Sequence, residues 1–161
     1  MEAPLASAWL DRGGQDYHVI VVLPMDQRAV IEEASRENAP REACGLLIGR
    51  QGAEVTWITR AHATPNAAME PEHSFVVPSG SLQAIIGDAS RLGLAVVGSW
   101  HSHTSGSAVP SRADRAGAID PDWLLLIASG DDLRVWTIGT DGTPRKETLA
   151  RGGGSEYAPR P

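Results

Sequence analysis

The chain has 161 residues, 42% of them apolar, and a formal net charge of −6. This composition suits one globular domain with a sizeable core, and the acidic balance argues against a nucleic-acid partner, because such proteins usually carry a basic face. No apolar run approaches the ~20 residues that a membrane span needs, and the single cysteine, Cys44, excludes an intramolecular disulfide. Since no signal-peptide pattern is present, we expect a cytoplasmic protein.

Hydropathy and composition divide the chain into one domain between two tails. Residues 1–16 mix Pro, Gly, Ser and charge, and residues 150–161 are rich in Gly and Pro, so both segments are expected to be flexible. The domain is expected to span residues 17–149. Within it, β-branched or alternating apolar runs predict strands at residues 17–23, 42–50, 54–61, 74–77, 94–100, 123–128 and 133–138.

Three further segments have the spacing or the start signals of helices. They cover residues 26–38, 79–92 and 111–119, with Asp26, Ser79 or Ser81, and Ser111 as candidate N-caps. The second helix has a continuous apolar stripe at i, i+3, i+4 and i+7. Because helices flank the long central strand on both sides in the sequence, we predict an α/β fold in which helices cover a mixed sheet.

Two histidines stand directly after the predicted central strand. Residues i and i+2 of an extended strand point to the same face, so the imidazoles of His101 and His103 can converge on one metal ion. A loop rich in Ser and Gly follows, long enough to fold back and bring Asp114 to the pair. These three residues would supply three ligands to a zinc ion and leave a fourth position for water, as a catalytic site requires.

Ser111 and Asp114 also have a purely structural interpretation. Ser-x-x-Asp is a helix start in which the serine is the N-cap and the acid three residues later completes a capping box. The two roles are compatible, because a helix start is a rigid way to hold Asp114.

Four other polar residues are weighed against this cluster. By position alone Glu42 is an exposed surface acid. Cys44 shares its strand face and is expected to be structural, because a thiol nucleophile needs a nearby base and the sequence indicates none. His62 and His73 have no partner at ligand spacing, so we expect them at the surface or beside the ligands.

The segment His101-Ser102-His103, with Ser111 and Asp114 at their spacing, resembles the signature of the JAMM (MPN+, Mov34/PAD-1-like) zinc metalloproteases. That family has a catalytic glutamate upstream, often in a P-x-E-x-C-G-like segment, and Pro40-Arg41-Glu42-Ala43-Cys44-Gly45 fits it. The resemblance covers residues 19–138 and is closest to the short bacterial members. It implies the cytidine-deaminase-like JAMM/MPN fold, in which a curved mixed sheet is flanked by helices.

The resemblance also implies a reaction. Zn²⁺ held by His101, His103 and Asp114 would activate a water, Glu42 would take its proton, and the Ser111 hydroxyl would donate to the developing oxyanion. The implied substrate is an amide or isopeptide bond after the Gly-Gly-like tail of a ubiquitin-like protein or small β-grasp sulfur carrier. That tail could lie along residues 54–61 as an added strand.

A further expectation from the resemblance concerns Asn66. Family members often carry an asparagine near position 66, so Asn66 is expected to shape the substrate groove. A homodimer is left open.

Three other functions compete with this hypothesis. Relatives of the fold that have lost their ligands serve as non-catalytic scaffolds, but every motif position is filled here. A zinc deaminase would need a Cys-x-x-Cys pair, which one cysteine cannot supply. A cell-wall or phage-tail peptidase shares the motif, although it would favour export or an attached module, and the sequence indicates neither.

Overall fold

The computed structural model describes residues 18–152, so the predicted N-terminal tail, residues 1–16, and residues 153–161 of the predicted C-terminal tail lie outside the described residues. The helices and strands are β1 (Ile20–Pro24), α1 (Met25–Asn38), β2 (Cys44–Gln51), β3 (Val55–Thr64), α2 (Ser79–Arg91), β4 (Ala95–Ser102), α3 (Arg112–Ala116), β5 (Leu124–Ser129), β6 (Asp132–Ile138), β7 (Pro144–Lys146) and β8 (Thr148–Gly152). In the described part of the chain, no helix is long and apolar enough to cross a membrane.

Within residues 18–152 the strands form one mixed eight-stranded sheet in the order β7-β6-β5-β4-β2-β3-β1-β8. The pairs β4–β5, β1–β3 and β1–β8 are parallel, and the other neighbours are antiparallel. The sheet is curved, nearly closed and flanked by helices, so the predicted α/β fold is confirmed.

Period-two alternation along β2 directs side chains to two cores. Leu47 belongs to a buried cluster with Ile31 of α1 and Trp100 of β4. Its neighbour Leu46 belongs to a second cluster with Ile85 of α2. The two helices therefore cover different faces of the sheet, and β4 lies in the middle of the fold.

The sheet closes at Glu147. Strands β7 and β8 are separated in the chain by this one residue, yet they form opposite edges of the sheet, so the sheet must curl until its edges approach. The Glu147 side chain is buried there. Its two carboxylate oxygens accept hydrogen bonds from the Thr137 hydroxyl at 2.7 Å and from the Val19 N–H at 2.8 Å.

Three expectations about the sheet are wrong, although a strand is present at residues 55–64 as predicted. Residues 150–152, assigned from the sequence to a flexible tail, form the end of β8 and pair with residues 22–24 of β1. Residues 74–77 are apolar enough for a strand but have no ladder partner. Residues 54–61 are not a free edge along their whole length, because residues 55–57 of β3 already pair with residues 20–22 of β1.

Two helix starts also differ from the prediction. Asp26 lies inside the first turn of α1, and the N-cap is Pro24. The N-cap of α2 is Pro78, and neither Ser79 nor Ser81 caps it. Neither helix start has a side-chain capping bond, so packing of the buried helix faces, rather than capping, stabilises both helices.

Replacing Glu147 with alanine is expected to lower the free energy of unfolding by about 1–3 kcal/mol, because it leaves the buried Thr137 hydroxyl without its acceptor. Denaturant unfolding measures the change. The control is Glu33→Ala on the exposed face of α1, where the expected change is within about 0.5 kcal/mol. Equal effects of the two substitutions would contradict the role of Glu147 in sheet closure.

Candidate metal centre

Strand β4 positions both histidines. The strand continues through Ser102, two residues beyond its predicted end, so His101 lies inside it, between Cys44 of β2 and Ile127 of β5. His101 is fully buried, and His103 follows at the end of the strand. The Phe75 ring stacks on the His101 imidazole with 4.3 Å between centroids.

Three potential ligand atoms converge at this point. The Nε2 atoms of His101 and His103 are 3.0 Å apart, and each lies 3.2 Å from Oδ2 of Asp114. Ligand atoms about 2.0–2.1 Å from a tetrahedral zinc ion are separated by roughly 3.3 Å. The triangle therefore has nearly the size that one zinc ion requires. Within residues 18–152 it is the one group of three or more His, Cys, Asp or Glu ligands found.

The start of α3 holds Asp114 in place. The Ser111 side chain accepts from the Asp114 N–H at 3.1 Å, and Oδ2 of Asp114 accepts from the Ser111 N–H at 2.8 Å, so both halves of the predicted capping box are present. The helix is shorter than predicted and ends at Ala116. The same carboxylate oxygen faces the histidines, so the cap and the candidate ligand site share one atom.

Hydrogen bonds orient the ligand atoms. Nδ1 of His103 lies 2.8 Å from the Ser107 carbonyl oxygen. Because a carbonyl only accepts, Nδ1 carries a proton and Nε2 faces the cluster. Nε2 donates to Asp114 when the ring is protonated, and it presents a lone pair to a metal ion when the ring is neutral. Burial lowers the pKa of the His101 imidazole; Asp114 acts in the opposite direction, and His103 lowers the pKa further. Burial opposes ionisation of Asp114, but hydrogen bonds from both imidazoles outweigh it and hold its pKa well below the usual range.

Glu42 lies immediately before β2 and beside this cluster. Its backbone N–H donates to the Pro71 carbonyl at 2.6 Å, and its carbonyl accepts from the Asn66 amide at 2.9 Å. Burial raises the pKa of its carboxyl to about 7, partly offset by His103 and reinforced by Asp114. A buried carboxyl with this pKa is suited to accept and return a proton near neutral pH.

The donor set fits a zinc ion. Two imidazole nitrogens and one carboxylate oxygen are ligands that zinc commonly takes, and three protein ligands leave a position for water. Oε2 of Glu42 and Nδ1 of His101 are buried without a hydrogen-bond partner among the described residues. An unpartnered buried carboxylate oxygen is costly, and a metal-bound water is the type of group that would satisfy it.

Two cavities border the cluster. The larger, of about 860 Å³, reaches His103 and is lined on its other sides by α1, including Arg28 and Arg36, and by Asp131 at the β5–β6 turn. The smaller, of about 240 Å³, lies on the side of Asp114 and is mainly apolar.

The remaining residues considered from the sequence lie outside the triangle. Cys44 is buried, and burial raises the pKa of its thiol, which agrees with a structural role. His62 is half-buried in β3 opposite Leu46, and His73 is exposed. Phe75 was not predicted as a site residue. It lies in the apolar run of residues 74–77, which predicts a strand but gives no indication of contact with a histidine.

Two histidines meet at the end of the central strand, one buried and one half-buried, with a helix-capped aspartate and a neighbouring buried glutamate. This cluster on a curved mixed sheet defines an α/β domain with a candidate metal centre. The family described as prokaryotic homologs of the JAB domain matches residues 24–139, and the chain belongs to this family. This confirms the resemblance found from the sequence.

Two relatives and one solved structure show the extent of the similarity. The chain is 34% identical over 113 residues to a desampylase of Haloferax volcanii, covering 68% of this chain and 80% of the relative. It is 29% identical over 140 residues to a CysO-cysteine peptidase of Mycobacterium tuberculosis, covering 82% and 90%. The solution structure of a Desulfitobacterium hafniense protein, 29% identical, has a TM-score of 0.75 and covers 86% of this chain and 97% of that one.

Protein purified without added zinc is expected to carry one zinc ion per chain, measured by inductively coupled plasma mass spectrometry. His103→Ala should lose it, because two ligands bind far less tightly than three. The matched control is His73→Ala, which removes an exposed histidine outside the cluster and should retain the metal. Equal zinc content in wild type and His103→Ala, or none in wild type after reconstitution, would contradict the assignment.

In metal-free protein, Glu42→Gln is expected to be more stable than wild type at pH 8, and this difference should disappear towards pH 4. The folded-state pKa of about 7 exceeds the ordinary carboxyl value of 4.5, so ionising the buried carboxyl costs free energy as the pH rises between these values. Unfolding in the presence of a chelator, measured across this pH range, tests the expectation. A difference that does not change with pH would refute it.

Proposed function

We propose that the protein is a zinc-dependent peptidase or isopeptidase. Its substrate would be an amide bond at the C-terminal tail of a ubiquitin-like or sulfur-carrier β-grasp protein. The observation that carries the proposal is the triangle of His101, His103 and Asp114 with the buried Glu42 carboxyl beside it. The names of the relatives, a desampylase and a CysO-cysteine peptidase, support hydrolysis and this class of substrate.

Each polar residue has one role in this reaction. His101, His103 and Asp114 would hold a zinc ion, which when bound would polarise a water and lower its pKa towards ~7. Glu42 accepts the proton of the attacking water on its carboxylate and returns it to the amine that leaves. The Ser111 oxygen already accepts the Asp114 N–H, so its own hydroxyl proton is free to donate to the oxygen of the scissile carbonyl.

The cleft beside His103 is the proposed path of the substrate tail. Because β3 is an inner strand, addition of the tail along residues 54–61 is replaced by binding in this cleft of about 860 Å³. A Gly-Gly-like tail suits the approach to the centre, since residues without Cβ allow close contact between backbones.

The environment of Glu42 also distinguishes an enzyme from a non-catalytic scaffold. A scaffold gains nothing from a buried carboxylate oxygen without a partner, and such a group lowers stability. Strongly shifted pKa values in a cleft are instead typical of functional sites. This observation favours the enzyme over the non-catalytic alternative.

Glu42→Gln is expected to lower kcat by at least about 10²-fold while the zinc content stays the same, because it removes proton transfer but no metal ligand. The probes are ubiquitin-like β-grasp proteins whose C-terminal Gly-Gly is extended by one cysteine or by a short peptide, with products identified by mass spectrometry. Glu33→Gln on the exposed face of α1 is the matched control and should keep full activity. Undiminished turnover in Glu42→Gln would refute the assignment.

The remaining outcomes decide between the competing functions. If the zinc-loaded protein cleaves cell-wall peptides but none of the β-grasp probes, the proposed substrate class changes from β-grasp tails to cell-wall peptides. Protein that binds no zinc and cleaves neither probe would favour the scaffold.

A further inference from the structure

Residues 65–78 connect β3 to α2 with neither helix nor strand, and the Asn66 side chain organises this connecting loop. Its Nδ2 donates to the carbonyls of Glu42 and Ser74, both at 2.9 Å. Its Oδ1 accepts from the N–H groups of Ala68 at 3.0 Å and Val76 at 3.1 Å. The Asn66 side chain thus satisfies backbone groups of the connecting loop that a neighbouring strand would satisfy in a sheet.

The chemistry of these four partners determines the orientation of the amide. Two carbonyls, which only accept, lie on one side, and two N–H groups, which only donate, lie on the other. A primary amide has two N–H donors and two acceptor lone pairs, so the hydrogen-bonding capacity of Asn66 is completely used. No other residue of the same size offers this combination.

Asn66 joins the two sides of the candidate metal centre. Through its bond to the Glu42 carbonyl it holds the backbone of the proposed general base. Its partners Ser74 and Val76 flank Phe75, the ring that stacks on buried His101. The connecting loop also returns to Glu42 directly, since the Pro71 carbonyl accepts the Glu42 N–H.

The position of Glu42 depends on these backbone bonds for a specific reason. Its carboxylate atom Oε2 has no hydrogen-bond partner in the part of the chain that the structure describes. The reactive end of the side chain is therefore not anchored by a direct hydrogen bond to that atom. Its placement depends on packing and on the backbone that Asn66 and Pro71 hold.

We propose that Asn66 is a positioning residue for hydrolysis, which fixes Glu42 and Phe75 relative to the ligand triangle. The inference rests on the proposed function and adds to it a residue that touches neither metal nor substrate. Its predicted effect falls on kcat, because a misplaced base slows proton transfer while the cleft that binds the tail stays intact.

Two substitutions test the proposal. Asn66→Asp keeps the shape and the acceptor for Ala68 and Val76, but it turns a carboxylate oxygen towards the carbonyls of Glu42 and Ser74. Asn66→Ala removes all four bonds. Both variants are expected to lose on the order of 10²-fold in kcat, as for a small misplacement of a reacting group. The change in KM is expected to stay below about threefold, which is no more than the free energy of one weak hydrogen bond.

The control and the additional measurements separate positioning from folding. Met69→Asp places the same charge in the same connecting loop at a fully exposed side chain, and it should keep the wild-type kcat. Zinc content should stay at one per chain in all variants. In the zinc-loaded Asn66 variants, amide hydrogen exchange at Glu42 and Val76 should be faster than in wild type.

The outcomes distinguish failure of this inference from failure of the proposed function. Active wild type with unchanged kcat in both Asn66 variants overturns the inference and leaves the function standing. Loss of zinc or of cooperative unfolding in both variants assigns Asn66 to folding and also overturns the inference. Wild type that cleaves none of the β-grasp probes overturns the proposed function, and the inference with it.

Discussion

The approach of two imidazole nitrogens and one carboxylate oxygen to within 3.2 Å of one another is the contact on which the rest of the structure depends. Burying Asp114 as an anion is costly, and the hydrogen bonds from both histidines and from the Ser111 N–H offset that cost. Three structural elements meet at this cluster: the central strand β4, the loop that follows it, and the capped helix α3. Each supplies one constraint, and together they form a site of the size that a zinc ion requires.

Glu42 lowers the stability of the fold at this site. Its carboxyl is buried and its pKa is raised to about 7, which destabilises the folded protein whenever the group is ionised. The antiparallel pairing of β2 with β4 puts Cys44 opposite His101, so the start of one strand lies beside the end of the other. That register brings Glu42 to the histidines although 59 positions separate it from His101 in the chain.

Long-range hydrogen bonds complete the frame around the site. Glu147 joins the two edges of the sheet through Thr137 and Val19. Asn66 does the equivalent for the connecting loop, where no ladder is present. In both places the hydrogen bonds of one polar side chain take the place of backbone strand pairing. The residues on either side have little of the hydrophobic periodicity from which a strand or helix could be predicted.

Features that depend on near neighbours in the chain could be predicted from the amino-acid sequence. The i, i+2 spacing of His101 and His103, the Ser-x-x-Asp helix start and the alternation of apolar residues follow from strand and helix geometry, and the structure confirms them. Glu42 was recognised only through a resemblance, because its isolated position favoured a surface acid. Tertiary structure alone decided the closure at Glu147, the strand at residues 148–152 and the role of residues 74–77. Those features depend on partners distant in the chain, and local propensity contains no information about such hydrogen bonds.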